Sequence, residues 1–305
     1  MKRTLAVLLA ILSLTSSDAN ACDVCGCSLG GNYFGILPLY NKNFVGLRWS
    51  EAKFHSYITA TQNLSAQESD DTYQKVELWG RYYLTRRIQL FAFIPYVYNN
   101  MEGTDQNVYA EGLGDISVVA NYVVLNTANG GSDFKHILLV GGGIKIPTGK
   151  FDLVDQGKII NRNFQMGTGS VDFIANAVYT LRYKQAGINF ETGYKINTRN
   201  RGDYRFGNQY RASAQVFYWQ KFGLLSLLPH AGIYFEQAAM HQAGDILQTN
   251  TGGEAWLASG GMDFYIKRFT LGLNCQVPVS QHYNSDDSAE ITSKSRVTAT
   301  LIYNF

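Results

Sequence analysis

The sequence lacks most of the features that mark a helical membrane protein or an enzyme. After its first twenty-one residues, no segment approaches the roughly eighteen uninterrupted apolar residues of a membrane-spanning helix. Proline is scarce, with 5 in 305 residues, and 26 basic side chains nearly balance 24 acidic ones. A formal charge of +2 is too small to point to a nucleic-acid partner. No Gly-x-Ser-x-Gly elbow or phosphate-cradling loop occurs in a suitable setting. The five histidines are His55, His136, His230, His241 and His282, and none stands in a His-x-Ser-Asn-Gly-like arrangement. His241 and His282 fall in long loops, where solvation is expected; His136 and His230 open strands. An outer-membrane lipid hydrolase would need a serine, a histidine and an orienting group together, and the reading is of no enzyme.

Aromatic residues, by contrast, make up 13% of the chain and glycines number 30, a composition of strands and tight turns. Mean hydropathy is −0.14, as expected when lipid-facing and lumen-facing residues alternate and average out. Residues Lys294 to Phe305 set Val297, Ala299, Leu301, Tyr303 and Phe305 against Arg296, Thr298, Thr300 and Asn304. Such period-two runs recur near residues 43–57, 72–84, 88–99, 113–125, 135–146, 169–183, 186–197, 208–220, 227–237, 254–266, 269–280 and 294–305. In the second, Val76, Leu78, Tyr82 and Leu84 oppose Lys75, Glu77 and Arg81; in the eighth, Tyr210, Ala212, Val216 and Tyr218 oppose Arg211, Ser213 and Gln215. Charges recur on one face. Most runs are long enough to cross a bilayer at a tilt, whereas soluble sandwich strands are usually shorter. In the first run Val45, Leu47 and Trp49 share a phase that Phe54 leaves, which predicts a bulge there.

Between the runs, short turns at 85–87, 126–134, 184–185, 221–226 and 267–268 alternate with long polar connections near 58–71, 100–112, 147–168, 198–207, 238–253 and 281–293. This rhythm predicts an all-β transmembrane antiparallel up-and-down β-barrel of about twelve strands. Its tight turns and both termini would lie in the periplasm and its long loops outside. Trp49, Tyr96, Tyr98, Tyr194, Tyr218, Trp219, Tyr265 and Tyr303 near strand ends read as headgroup-level girdles. Twelve strands about 4.8 Å apart and tilted about 40° close to a diameter of roughly 23 Å, leaving a lumen of order 10 Å. The expected lumen-facing charges are Arg48, Lys75, Glu77, Arg81, Asp115, Lys145, Asp172, Glu191, Lys195, Arg211, Glu236, Asp263 and Arg296. Both signs together imply either a transverse field across a path or salt-bridged filling of a solid scaffold.

Lys2 and Arg3, the apolar run Leu5 to Leu14 and Ala19-Asn20-Ala21 read as a secretory signal peptide over residues 1–21. Residues 22–42 then form a periplasmic segment and 43–305 the barrel. The segment opens with Cys22, Cys25 and Cys27, a Cys-x-x-Cys-x-Cys spacing whose soft thiolates suit Cu(I) or Zn(II), with a fourth ligand from elsewhere. Two other fates stay open: a disulfide from Cys22 to Cys25 or Cys27, or acylation of Cys22 in a loose lipobox. Cys275, beside Leu273 and Val277, reads as a small hydrophobe on the lipid face. Tyr33, Phe34, Ile36 and Leu37 lie among glycines before the first strand, in a stretch able to enter the periplasmic mouth and gate or seal it.

Three segments carry a family likeness. Glu111-Gly112-Leu113-Gly114-Asp115-Ile116, Ile144-Lys145-Ile146-Pro147-Thr148-Gly149 and Gly167-Thr168-Gly169-Ser170-Val171-Asp172 resemble the GLGD, PTG and GTGS-x-D signatures of the outer-membrane barrels named for the MetA pathway of phenol degradation, or simply transporters. The resemblance covers about residues 72 to 305 and implies transport of small, often aromatic molecules. The aromatic carboxy terminus likewise resembles the signal read by the bacterial barrel-assembly machinery. Asp115 and Asp172 are expected at the outer mouth, meeting a cation or, more simply, bonding to loop amides.

The reading is therefore an outer-membrane channel of a Gram-negative-type bacterium passing a small solute, aromatic or metal-linked, with no cofactor required beyond any Cu or Zn at the cysteines. Its partners would be membrane lipid, the assembly machinery and the solute, with no nucleic acid. The main alternative is a non-conducting anchor that presents the cysteine segment to a metal or a periplasmic partner.

Overall fold

A computed structural model describes residues 34–36, 42–59, 66–104, 107–128, 130–155, 158–159, 161–284 and 289–305. Twelve strands form the wall: β1 (Phe44–Ile58), β2 (Gln67–Tyr83), β3 (Ile88–Gly103), β4 (Asn107–Leu113, resuming as Ile116–Asn126), β5 (Phe134–Ile146), β6 (Asp172–Tyr183), β7 (Ala186–Ile196), β8 (Gln209–Tyr218, resuming as Gln220–Phe222), β9 (Leu225–Ala238), β10 (Gly253–Ile266), β11 (Phe269–Tyr283) and β12 (Ala289–Asn304). Each pairs antiparallel with the next, and β12 returns to β1 in a register that sets Phe44 opposite Asn304 and Trp49 opposite Ala299. The barrel is closed, as the alternating pattern predicts, and the wall has no free edge.

Sidedness explains the closure. On β1, Phe44, Gly46, Arg48 and Ser50 are buried, while Val45 and Leu47 between them are 43% and 51% exposed. On β11, Leu271, Leu273 and Val277 are exposed together with the free thiol Cys275. A continuous belt of such side chains suits hydrocarbon rather than water. The belt ends in charge. The outward face of β1 continues as Glu51, Lys53 and His55, where Lys53 lies 3.4 Å from Glu51 and His55 is held between Glu68 (3.2 Å) and Asp70 (3.1 Å). Charge is thus confined to one face only within the apolar belt.

Beyond the belt the strands run further than the alternation indicates. The expected loops 58–71, 100–112 and 281–293 shrink to 59–66, 104–106 and 284–288, because β1 to β4, β11 and β12 continue as paired ladders. Outside hydrocarbon, a ladder needs no apolar face, so the period-two signal fades while the pairing persists. The opposite end keeps tight turns, of which Lys184-Gln185, Gly223-Leu224 and Lys267-Arg268 are two residues long.

Two expectations are corrected. The irregularity placed in the first strand belongs to its partner: Ala52 faces Arg296 and Phe54 faces Ser293, so Lys294-Ser295 on β12 bulge opposite Lys53. Phe54 stays in phase with Arg48 and points inward, 1% exposed. Trp219 and Tyr265 are not girdle residues; their rings lie 4.7 Å apart, tilted at 44°, and pack with Phe217, Leu228 and Ile36 inside the turn end. Tyr96, Tyr194 and Tyr218 are exposed on the outer face.

The interior is less polar than alternation alone implies. Phe34 clusters with Phe44, Trp79, Phe91, Phe93 and Ile302 toward the turn end, and Phe54, Tyr73, Ile291 and Phe164 pack near the loop end. If Leu273 faces lipid near mid-membrane, Leu273→Arg destabilises the folded barrel by about 2–4 kcal/mol in liposome unfolding. An unchanged unfolding curve would contradict this placement.

Candidate functional site: the barrel interior

The three glycine-rich segments converge on Lys145. Register brings them together: Lys145 on β5 lies directly opposite Ser117 on β4 and Asp172 on β6. Its ammonium is 2.5 Å from Asp115 Oδ2 and 2.9 Å from Asp172 Oδ2, and it donates to Ser170 O (3.1 Å) and to Thr168 Oγ1. The two carboxylates also accept from loop backbone, Asp115 from the Gly149 and Thr168 amides at 3.0 and 2.8 Å, and Asp172 from the Thr198 amide at 3.0 Å. Asp115 and Asp172 therefore tie loops to the wall through both amides and Lys145. Glycine is required where the loop recrosses itself, because a Cβ on Gly149 would stand 2.8 Å from the Gly167 backbone. Pro147, lacking an N–H, follows the last residue of β5.

Three long connections roof the lumen. From the connection after β5, Phe164 is fully buried beside Tyr73 and its carbonyl accepts from Asn99 Nδ2 at 3.1 Å. Tyr204 and Phe206 from the connection after β7 pack on His241 from the connection after β9, and the Tyr204 hydroxyl shares a 2.8 Å hydrogen bond with His241 Nδ1. The expected solvation of His241 is corrected: it is 4% exposed, because two long polar loops fold over each other. Burial, with a smaller contribution from the nearby Lys195 charge, pushes its pKa down to about 4. His282 is exposed on β11, and His136 on β5 bonds the Tyr179 hydroxyl at 2.8 Å.

Below the roof, the interior charges are largely paired. Glu77 meets Arg48 at 3.2 Å and Lys75 at 3.1 Å, Arg211 meets Glu191 at 3.4 Å, and Arg296 forks onto both Glu236 oxygens at 2.7 and 2.5 Å. Arg81 donates to the Lys42 carbonyl at 2.6 Å, and Asp263 accepts from the Tyr265 hydroxyl at 3.4 Å. Lys195 faces the upper cavity. The Arg48 guanidinium also lies 3.9 Å over the Trp79 ring, and Trp79 stacks on Phe93. Sequence reasoning passed over these interior aromatics, since an apolar residue on the inner face has no mark of its own.

Pairing does not fill the barrel. An upper chamber of about 160 Å³ lies under the roof, lined by Tyr73, Lys75, Glu77, Phe93, Arg162 and Lys195 among others. A lower one of about 70 Å³ near the turn end is lined by Phe44, Arg48, Trp79, Arg81, His230 and Asp263 among others. The Arg48–Glu77 and Trp79–Phe93 contacts each join a residue of one chamber to a residue of the other. Phe34, Gly35 and Ile36 lie inside the barrel and line the lower chamber, with the Phe34 ring 4.8 Å from Phe91 and its amide 3.3 Å from the Glu191 carboxylate. Cys22, Cys25 and Cys27 lie outside the described residues, as does the proposed signal peptide.

No family model matches the sequence, and no curated protein matches it, so the likeness to the MetA-named barrels rests on the three segments alone. Among solved structures, the chain is similar to an outer membrane channel from Pseudomonas putida F1, at 14% identity and a TM-score of 0.62, over 90% of this chain and 99% of that one. It is also similar to the β domain of the Bordetella autotransporter BrkA (12% identity, TM-score 0.46, 87% and 100% covered) and to a Pseudomonas aeruginosa FadL homologue (10%, 0.43, 86% and 90%). The first likeness establishes the fold, that of an outer-membrane β-barrel.

Lys145→Met leaves two buried carboxylates without their cation, which costs about 3–5 kcal/mol. Unfolding in urea should shift accordingly, with faster hydrogen exchange at the Thr168 and Thr198 amides; wild-type protection would refute the knot. His241 gives a second expectation. Because its folded pKa lies below the unfolded value, the unfolded loops take up a proton first, and roof stability falls as pH drops from about 6.5 to about 4. His241→Asn removes this dependence, which limited proteolysis of the loops across that window can follow; an identical pH profile in the variant would contradict it.

Proposed function

We propose that the chain is an outer-membrane channel that passes a small solute through the barrel interior. Tight turns face the periplasm, so both strand-bearing termini lie there, and the roofed end faces outward. The observation that carries this reading is the pair of stacked chambers, about 160 and 70 Å³, kept within a closed wall despite the ion pairs that span it. A barrel serving only as an anchor has no need of such space.

The level between the chambers is the narrow point. There, the Arg48–Glu77 pair, the Trp79–Phe93 stack and Phe34 share the cross-section. A solute moving between chambers must pass charge on one side and aromatic faces on the other, which favours small amphipathic molecules over large hydrophilic ones. Phe34 narrows that level, and its removal widens it. The reading assigns no catalytic group. The amino-terminal cysteines, if they bind Cu(I) or Zn(II), do so on the same segment that enters the lumen.

Single-channel recording in planar bilayers tests the proposal. The mature chain gives small, discrete conductance steps, and a chain beginning at Asn41 gives steps larger by about twofold or more, since a lumen of order 10 Å is sensitive to one ring. Absence of conductance from both forms would favour the anchor reading, and equal conductance would remove Phe34 to Ile36 from the path.

A further inference from the structure

Lys195 differs from every other cation of the upper chamber. Lys145 is saturated by Asp115 and Asp172, Lys75 by Glu77, and Arg162 donates to the Phe151 carbonyl at 3.3 Å. Lys195, on the inner face of β7, has no ion pair or hydrogen bond among the described residues. Its charged surroundings are Lys145, Asp172, Asp115 and Arg211, and both carboxylates are already engaged by Lys145.

The chamber carries an excess of positive charge. Lys75, Lys145, Lys195 and Arg162 line it against Glu77 and Asp115, and the pair partners Arg48 and Asp172 leave that excess unchanged at two. An uncompensated ammonium inside a wall surrounded by hydrocarbon is costly unless an anion joins it. Apolar and aromatic side chains, Tyr73, Phe93, Met166 and Phe206, face the cavity alongside neutral polar ones such as Asn99, Gln165 and Thr168. Lys195, Phe206 and His241 line the same cavity, and the Phe206 ring is 4.9 Å from that of His241. Gln209, the cross-strand neighbour of Lys195, lines the same cavity and offers a further donor.

We propose that the upper chamber binds a small aromatic carboxylate, whose anionic head meets Lys195 Nζ while its ring lies among Phe206, Phe93 and Met166. The proposal rests on the reading of the interior as a solute path and adds to it the charge and shape of the solute. Lys195 is then the selecting group. Ion pairs occupy Lys75 and Lys145, and Arg162 is held by the Phe151 carbonyl and the Tyr204 ring, so that among the described residues Lys195 is the ammonium offered to the ligand.

Titration calorimetry of the mature protein in neutral detergent tests this with benzoate, toluene, benzylamine and acetate. Benzoate is expected to bind about tenfold or more tighter than the other three, because only it satisfies both the charge and the ring surface. Lys195→Gln should weaken benzoate by about tenfold, and Lys195→Arg should restore most of it. Equal binding of toluene or acetate, or benzoate binding untouched by Lys195→Gln in a variant whose unboiled gel mobility remains that of a folded barrel, would overturn the assignment. The ligand series on the unsubstituted protein stands without any variant, so a folding failure of Lys195→Gln leaves the test intact. Conductance separates the two claims: a conducting protein without selective benzoate binding loses only the site, and a silent one that binds benzoate through Lys195 loses only the path.

Discussion

Backbone hydrogen bonding in hydrocarbon is the constraint from which the rest follows. An unpaired N–H or C=O there costs several kcal/mol, so a sheet that crosses the bilayer must close on itself. The β12 to β1 ladder performs that closure. Once the wall is closed, successive side chains must alternate between lipid and lumen, and the apolar belt at Val45, Leu47, Leu273 and Val277 is the direct result. The same alternation delivers Arg48, Glu77, Lys145, Glu191 and Arg296 to an interior where they must find partners.

How those partners are arranged gives the interior its character. Buried ion pairs add little net stability, because desolvation offsets their attraction, but removing one member leaves a costly charge behind. Their value here is positional. Lys145 ties the connection after β5 to the break in β4 and to the start of β6, where Asp172 also holds the connection after β7, while the Arg48–Glu77 pair spans the level between the chambers. Aromatic rings fill the space that charge cannot, and the lumen is left as two cavities.

The twelve strands were legible in the sequence because the membrane imposes a period of two over nearly every crossing. Their outer ends were not, since beyond the lipid a ladder needs no alternating face. Phe54 shows another limit: its phase depends on a bulge at Lys294-Ser295, distant in sequence, that no local pattern on β1 reveals. The three glycine-rich segments were visible one by one, but their meeting at Lys145 depends on the registers of β4, β5 and β6. Burial of His241 comes from the contact of two irregular loops, for which sequence periodicity offers no signal. Phe91, Phe93 and Trp79 were hidden because an apolar residue on the inner face of a barrel looks like one on the outer face.

The most direct measurement is accessibility along β1 in liposomes, with a nitroxide placed singly from residue 45 to residue 50 in a background free of native cysteines. The account predicts strong relaxation by dissolved oxygen at 45, 47 and 49, alternating with weak relaxation at 46, 48 and 50. Uniform accessibility to a water-soluble relaxant at all six positions would contradict it.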